Sequence, residues 1–544
     1  MRDARSVLLA FAVAATFAAP AFAQAPSETP PPATTTTDQP PPSTPPPVLT
    51  PATPAPVAPA TTVVVAPPPA APSSTSQPFV QLTSLRLMRD KGLITQAEYD
   101  SAVRDLGESV GAGAGDAPTV MLGRWSTTLY GFVEADHIYD STESFNDIAG
   151  NAQVARPLGV AGGVYAGTND RLTFSLRNSR IGFKLRAPEW HRVRASAQLE
   201  MDFLGNQPPT ATESQFFTNP TFRIRHFFLK METPIVDILV GQYWQLFGWQ
   251  SLYHPNTVEI QGVPGQIYSR TPQIRVSKSF GDKTDPVTFE VAIAMMRPPQ
   301  RDSATPEGQA GVRLAINKWT GTQTMGSTGS TISPLSFAIT ADVRQFNVAE
   351  FAMAPQHSVG VTGWGVAADG FIPIIPGTKE HKGNSLSLNG EFAYGYGTAD
   401  LYTGLGGGVG NIGLPPNMMG MPQTYTPNVD PGLVQWAKNV STGMPQLLAV
   451  HWMSYLVGAQ YYFPGLDGKL WISANYSRLE SNNSLWFGAA TKVRTAEDWA
   501  DGNLFVDVTA AVRLGLEYAL FLDHYADGTD AKNHRVQLSA FYIF

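Results

Sequence analysis

Between Arg171 and Lys230 the chain carries ten basic residues, at 171, 177, 180, 184, 186, 192, 194, 223, 225 and 230, against four acids, Glu189, Glu200, Asp202 and Glu213. The local balance is +6 in a 544-residue chain of net charge −7. Spacing gives this excess a direction. Arg180, Lys184 and Arg186 alternate with Ile181, Phe183 and Leu185, and Arg192 and Arg194 alternate with Val193 and Ala195. Arg223 and Arg225 share a face opposite Phe222, Ile224 and Phe228. In an extended chain, residues two apart lie on one side, so three strands turn a basic wall the same way. Fixed guanidinium and ammonium groups in a row attract anions. With Arg177, Glu200 and Asp202, these residues are the candidate lining of a polar passage. Two readings stay open: an anion-attracting ladder, or struts in which the arginines pair with Glu200, Asp202, Glu134 and Asp136 and carry no selectivity.

A second candidate is the segment 246–272, which holds Phe247-Gly248-Trp249-Gln250, Tyr253-His254-Pro255-Asn256-Thr257 and Pro264-Gly265. Its Gly, Pro, Asn and aromatic content suits a compact, folded loop. Phe247, Trp249, Tyr253, His254 and Asn256 would form a constriction if the loop turns inward; contact with a neighbouring subunit is the alternative. Covalent catalysis needs a nucleophile, a base and an orienting group in reach. None of the nine histidines lies in a nucleophile motif, and neither G-x-S-x-G nor H-E-x-x-H occurs. The lack of cysteine excludes disulfides, thiolate metal sites and a lipid-modified Cys. The expectation is therefore a protein that is not an enzyme, without cofactor or metal, and its acidic balance argues against nucleic acid as a partner.

Strands must position these residues. The last eleven residues place Val536, Leu538, Ala540, Tyr542 and Phe544 on one face and Arg535, Gln537 and Ser539 on the other; Phe541 and Ile543 break the polar series. From Arg192 to Phe203 the alternation has no error, and Leu386–Tyr396, Phe337–Val343 and Leu470–Tyr476 repeat it. Such alternation fits a strand with hydrocarbon on one side and water on the other. Connections alternate between short ones (188–191, 232–234, 464–468) and long ones (140–170, 205–221, 246–272, 297–334, 398–450). That rhythm matches the periplasmic turns and outer loops of outer-membrane barrels. Aromatic residues near strand ends, Trp125/Tyr130, Tyr243/Trp244, Tyr461/Tyr462 and Tyr518/Phe521, suit interfacial girdles. The fold expected for 121–544 is all-β, a transmembrane antiparallel β-barrel of about 16 strands at roughly 25 residues per strand and connection. For the last strands to alternate in direction, 484–495 must hide one more.

The N-terminus places the chain outside the cytoplasm. Arg2 and Arg5, the apolar run Val7–Phe17 and Ala21-Phe22-Ala23 form a signal peptide, residues 1–23. Residues 24–78 are a Pro/Thr/Ala-rich linker that favours polyproline II and cannot bury a core, a spacer or a tether across part of the periplasm. Residues 79–108 read as a short helical hairpin: Gly92 ends the first helix, Thr95-Gln96-Ala97-Glu98 is a capping box, and Tyr99, Val103 and Leu106 form one face. So small a unit needs to oligomerise or dock. Residues 109–120 are a flexible joint.

Four motifs in order carry a family resemblance: Leu129-Tyr130-Gly131-Phe132-Val133-Glu134-Ala135-Asp136 with Tyr139-Asp140, then Ser179-Arg180-Ile181-Gly182-Phe183, Arg223-Ile224-Arg225-His226, and Gly241-Gln242-Tyr243-Trp244. The chain resembles the DcaP-like trimeric outer-membrane porins, which are related in style to the phosphate-selective porins O and P. The resemblance covers residues 125–280 best. It implies a 16-stranded homotrimer in the outer membrane of a Gram-negative bacterium, in contact with its lipid, that passes small anionic solutes such as dicarboxylates or phosphate. It also implies an N-terminal helical segment in the periplasm; the long Pro-rich stretch departs from the family pattern. A competing function is a cell-envelope tether or adhesin, in which the barrel anchors residues 24–108 to a periplasmic or cell-wall partner.

Overall fold

The computed structural model describes residues 119–122, 125–142, 170–206, 217–300, 303–324, 329–352, 355–378, 381–403, 432–438, 442–484, 494–526 and 528–544, with Met88, Arg89, Lys91, Leu405 and Val429. The expected signal peptide, Pro-rich linker and flexible joint (except its last two residues) and, apart from those three early positions, the helical hairpin lie outside the described residues. Among the described residues no helix is long and apolar enough to cross a membrane.

The strands are β1 (Thr119–Leu122), β2 (Trp125–Asp140), β3 (Arg171–Ser175), β4 (Arg180–Arg186), β5 (Arg194–Asp202), β6 (Arg223–Glu232), β7 (Asp237–Trp244), β8 (Arg270–Phe280), β9 (Val287–Met296) and β10 (Glu307–Gln323). There follow β11 (Thr331–Ala349), β12 (Ser358–Ile375), β13 (Ser385–Tyr396), β14 (Val434–Lys438), β15 (Pro445–Ala449), β16 (His451–Tyr462), β17 (Leu470–Glu480), β18 (Arg494–Asp507), β19 (Val512–Tyr525) and β20 (Asp530–Ile543). β14 and β15 form a separate hairpin; the rest make one sheet that closes where β20 pairs with β2. β3 and β4 lie end to end along one edge of β2, and β1 continues the line of β20 along the other. The result is a closed antiparallel barrel of 16 staves.

Closure satisfies every ladder of a sheet that would otherwise have two open edges. At the seam the Gly131 N–H donates to the Phe544 carbonyl (2.9 Å) and the Phe544 N–H to the Gly131 carbonyl (3.0 Å). A Cβ at Gly131 would stand 2.2 Å from the Arg180 carbonyl oxygen and 3.1 Å from the Phe544 ring, so the seam has room for glycine alone.

Alternation sets the two surfaces. On β20, Val536, Leu538 and Tyr542 are exposed on the outer face, while Arg535, Gln537, Ser539 and Phe541 are buried inside. The same holds for β11, with Phe337, Ile339 and Val343 outside and Thr340, Asp342 and Arg344 inside. Short turns at 187–193, 233–236, 281–286, 376–384, 463–469 and 508–511 gather at one end; 141–170, 203–222, 245–269 and 397–450 connect strands at the other, beside the shorter 350–357 and 526–529.

Several expectations need correction. Residues 297–334 are not one loop, because β10 occupies 307–323; its outer face is opened by Gly308 and Ala310, too small to stand out as hydrophobic. Of 484–495, the stretch expected to hold a strand, 485–493 lie outside the described residues; β18 begins at Arg494, with Trp499 and Phe505 on its inner side and Ala500 and Gly502 beside Leu504 on its outer side, which blurs the hydropathy pattern. Arg192 is not in a strand: with φ of 66° beside His191 at 47°, it forms the tip of the turn before β5. Phe228 is not opposite Arg225. A register shift pairs Glu200 with His226 and Met201 with Ile224, so Arg225 and His226 both face inward and Phe228 follows on the inner side. Of the expected girdle aromatics, Trp125 and Tyr518 are exposed, whereas Tyr462 and Phe521 are buried inside and Tyr130 and Tyr243 pack among inner residues. Position near a strand end does not tell which face a ring takes.

Candidate functional site: a lumenal loop on a basic wall

The inner faces of β4, β5 and β6 bring the basic residues and two acids together. Arg223 Nη2 lies 2.6 Å from Asp202 Oδ2, and Arg225 reaches both Glu200 (2.8 Å) and Asp202 (3.0 Å). Arg180 Nε stands 3.6 Å from Glu200 and its guanidinium lies over the Phe132 ring. The Tyr130 hydroxyl donates to Glu200 (2.9 Å), and Lys184 Nζ sits 4.6 Å from the Tyr130 ring centre. The strut pairing is thus present for Arg223 and Arg225. Asp136 accepts hydrogen bonds from Asn178 (2.9 Å), Ser539 (2.6 Å) and Gln537 (3.2 Å).

Of the other expected lining residues, Lys184 touches this cluster only through the Tyr130 ring, and Arg177, Arg186 and Arg194 lie apart from it. Arg177 is buried in the turn between β3 and β4, with its guanidinium 6.0 Å from the Phe217 ring. Lys184 and Arg186 are exposed toward the short-turn end of β4. Arg194 is 68% exposed and pairs with Glu232 at 3.3 Å.

The loop between β7 and β8 runs inside the barrel. Residues 245–250 and 253–267 are buried. Its backbone and side chains bond to inner residues around much of the wall: Phe247 N–H to Gln309 (2.8 Å), Gly248 N–H to Thr340 (2.9 Å), Tyr253 hydroxyl to Ser336 (3.0 Å), Val258 N–H to Asn503 (2.9 Å) and Glu259 N–H to Glu517 (2.8 Å). Asn475 Nδ2 donates to the Asn256 carbonyl at 3.0 Å. Glycines in the wall form its seats. A Cβ on Gly311 would come within 2.9 Å of Trp249, on Gly365 within 2.9 Å of Phe247, and on Gly515 within 2.8 Å of Val258.

The loop meets the basic wall at Gln261 and Tyr268. Gln261 Oε1 accepts from Arg225 (2.7 Å) and Arg223 (3.2 Å), and Arg225 also donates to the Tyr268 hydroxyl (3.1 Å). Arg270 lies over Trp244 (4.7 Å) and Tyr268 (5.1 Å), a cation held by aromatic faces. The His254 ring is 5.3 Å from Tyr268 and 6.4 Å from Trp244. Four guanidinium groups, those of Arg180, Arg223, Arg225 and Arg270, therefore share two carboxylates, Glu200 and Asp202.

No family model matches the sequence. No curated protein matches it either. Among solved structures the chain is similar to the outer membrane channel DcaP of Acinetobacter baumannii, with a TM-score of 0.54 and 17% identity over 77% of this chain and 97% of that one. The chain has the DcaP fold. Outer-membrane expressed OmpT of Vibrio cholerae (TM-score 0.43, 10% identity, 78% of this chain and 100% of that one) and Salmonella typhi OmpF in complex with daunomycin (0.43, 9%, 78% and 100%) are more distant likenesses.

In this DcaP-type barrel the sequence signals missed Gln261, Tyr268 and Arg270, the residues that join loop to wall. Arg270 opens β8 at the edge of the proposed loop, and a lone arginine after Tyr268-Ser269 carries no alternation to mark it.

Two loop groups make the seating pH-dependent. Burial lowers the His254 imidazole from 6.5 to about 4, with nearby Arg225, Arg180 and Arg270 acting in the same direction. A loop that opens restores the ordinary value, so opening takes up a proton between pH 6.5 and about 4, and closure weakens as pH falls through that window. Glu259 acts in reverse. Burial and the neighbouring Glu517 raise its carboxyl well above 4.5, so opening releases a proton and closure weakens as pH rises. Because the two groups act in opposite directions, the test is a difference: on acidification from pH 6.5 to 4, hydrogen–deuterium exchange of the loop amides should rise less in His254→Gln than in wild type, and identical responses of the two would refute the role of His254.

Proposed function

We propose that the protein is an outer-membrane porin of a Gram-negative bacterium through which small hydrophilic solutes diffuse, with preference for anions such as dicarboxylates or phosphate. A barrel of 16–18 strands is wide enough for an aqueous channel, and an inward loop then sets its bore. The observation that carries the preference is the excess of guanidinium groups, Arg180, Arg223, Arg225 and Arg270 over Glu200 and Asp202, where loop meets wall. Phe247, Trp249, Tyr253, His254 and Asn256 act as the constriction by holding that loop in the lumen. No catalytic role, metal or cofactor is assigned.

A homotrimer fits the uneven wall. β5, β6 and β7 have 9, 10 and 8 residues, whereas β10, β11 and β12 have 17, 19 and 18. A tilted strand needs about 9–11 residues to cross a membrane, so the low side suits subunit contact, and its outer face exposes Leu172, Phe174, Phe222 and Phe227. On this reading residues 1–23 are the export signal, 24–78 span part of the periplasm, and 79–108 form a hairpin that oligomerises or docks.

Planar-bilayer recording of purified protein in a salt gradient tests the function. Stepwise conductance with a reversal potential of anionic sign is expected; no conductance would overturn the proposal, and a cationic sign would overturn the preference. The Pro-rich extension favours one further role, a cell-envelope tether. Deleting 24–108 after the signal should leave conductance intact and abolish any envelope attachment that the extension provides.

A further inference from the structure

The chain beyond β13 also turns inward. Residues 397–403 are buried, except Asp400, which is partly so. Gly397 N–H donates to the Val450 carbonyl at 2.7 Å, and Ala399–Leu401 form a 3-10 turn. The segment then pairs with the return limb of the loop between β7 and β8. Ile267 and Tyr402 form an antiparallel bridge, Tyr268 N–H donates to the Leu401 carbonyl (2.8 Å), and Thr403 N–H donates to the Gln266 carbonyl (3.1 Å). The other side of the segment is tied to the wall. Arg344, fully buried on β11, reaches Asp400 at 2.5 Å and the Gly397 carbonyl at 3.2 Å, and lies within ion-pair distance of Glu307 (2.8 Å) and Asp342 (2.9 Å).

Tyr268 is where this matters. Its hydroxyl accepts from Arg225 and its ring covers Arg270, so whatever fixes its backbone fixes the distance between the two cations and the space in front of them. The hairpin bond from Gln245 N–H to the Ser269 carbonyl fixes the chain on one side of Tyr268. The inward segment after β13 adds backbone bonds on both sides of Ile267 and anchors them through one ion pair to a different stave. We infer that residues 397–403 are a second lumenal arm that holds the return limb of the constriction loop, and that Asp400 is a positioning residue which sets the Arg225–Arg270 site through Tyr268. This rests on the porin reading for its functional meaning but not for its geometry.

Asp400→Ala removes one of three carboxylates around Arg344 and leaves Glu307 and Asp342 in place, so the barrel should fold. Open-channel noise is expected to rise and anion preference to fall relative to wild type. The chain has no cysteine, so Gln266→Cys with Thr403→Cys introduces a single disulfide across the paired limbs. In the Asp400→Ala background, oxidation should restore the wild-type trace and reduction should abolish the rescue. An independent measurement needs no conduction: in detergent, Thr403→Cys should react with a water-soluble maleimide several-fold faster when Asp400→Ala is added. Equal labelling rates, or a trace in Asp400→Ala that matches wild type, would overturn the inference. Failure of the wild-type protein to conduct would instead count against the porin reading and leave the labelling result to decide this one.

Discussion

Joining Leu246 to Tyr268 through a Gly–Ser turn is expected to raise single-channel conductance severalfold and to weaken ion selectivity while the barrel still folds. The girth of the barrel is fixed by stave pairing, and the hairpin between β7 and β8 is already closed by the Gln245 N–H bond to the Ser269 carbonyl (3.1 Å). The excised residues bond to inner side chains and, through Gln266 and Ile267, to the segment 397–403; none of these bonds belongs to a barrel ladder, so no ladder is lost. What is lost is packing: Trp249 and Tyr253 against Ala292, Ala294, Met296 and Phe371, and Val258 and Ile260 against Phe132, Phe505 and Phe541. Those wall residues become wetted, at about 25 cal/mol per Å² of apolar surface, and some loss of thermal stability should accompany the wider bore. A milder change separates bore from stability. Gly515→Val fills the seat of Val258 without removing any backbone bond, and a valine is at home in a strand. It should lift one stretch of the loop and give an intermediate conductance. Heat-modifiable migration in SDS gels reports folding in both cases; a folded, loop-deleted barrel with wild-type conductance would show that the loop does not limit flow.

The outline of the barrel was legible because period two is a strong signal wherever the outer residues are large. Val536, Leu538 and Tyr542 on β20 and Phe337, Ile339 and Val343 on β11 announce their strands. β10 and β18 escaped because the outer face of each is partly Gly and Ala; on β18, moreover, Trp499 and Phe505 turn inward, because this lumen is packed by its own loops. The same packing explains why Tyr462, Phe521 and Trp499 are buried inside rather than set in a girdle. The basic wall was legible in composition and in facing, except at Arg225, where one extra residue in the ladder sends Phe228 to the inner side. Nothing in a one-dimensional pattern marks a bulge between two charged residues. Nor does it mark the partners that decide what the arginines do. Two acids of the neighbouring strand, Glu200 and Asp202, were visible; Gln261 and Tyr268 come from the folded loop, and Asp400 reaches Arg344 from farther still.

Arg225→Met is the substitution expected to cost most and to say most. Arg225 is 1% exposed and bonds Glu200, Asp202, Gln261 and Tyr268 at once. Removing one partner of a buried ion pair costs about 3–5 kcal/mol, because the remaining charge stays buried and uncompensated. Glu200 suffers more, keeping among the arginines only the longer contact to Arg180 (3.6 Å), whereas Asp202 retains Arg223 at 2.6 Å. Thermal unfolding in detergent should fall accordingly, and the reversal potential should move toward the cationic side, as three guanidinium groups then face two carboxylates. Adding Glu200→Gln removes the uncompensated charge. The double variant leaves Arg180, Arg223 and Arg270 against Asp202, the same net excess as wild type, so it should recover most of the stability and most of the anion preference together. Struts without selectivity predict a different pair of results: stability lost and regained as before, with the reversal potential unmoved in both variants. That outcome would leave the channel standing and remove the arginine wall from its selectivity.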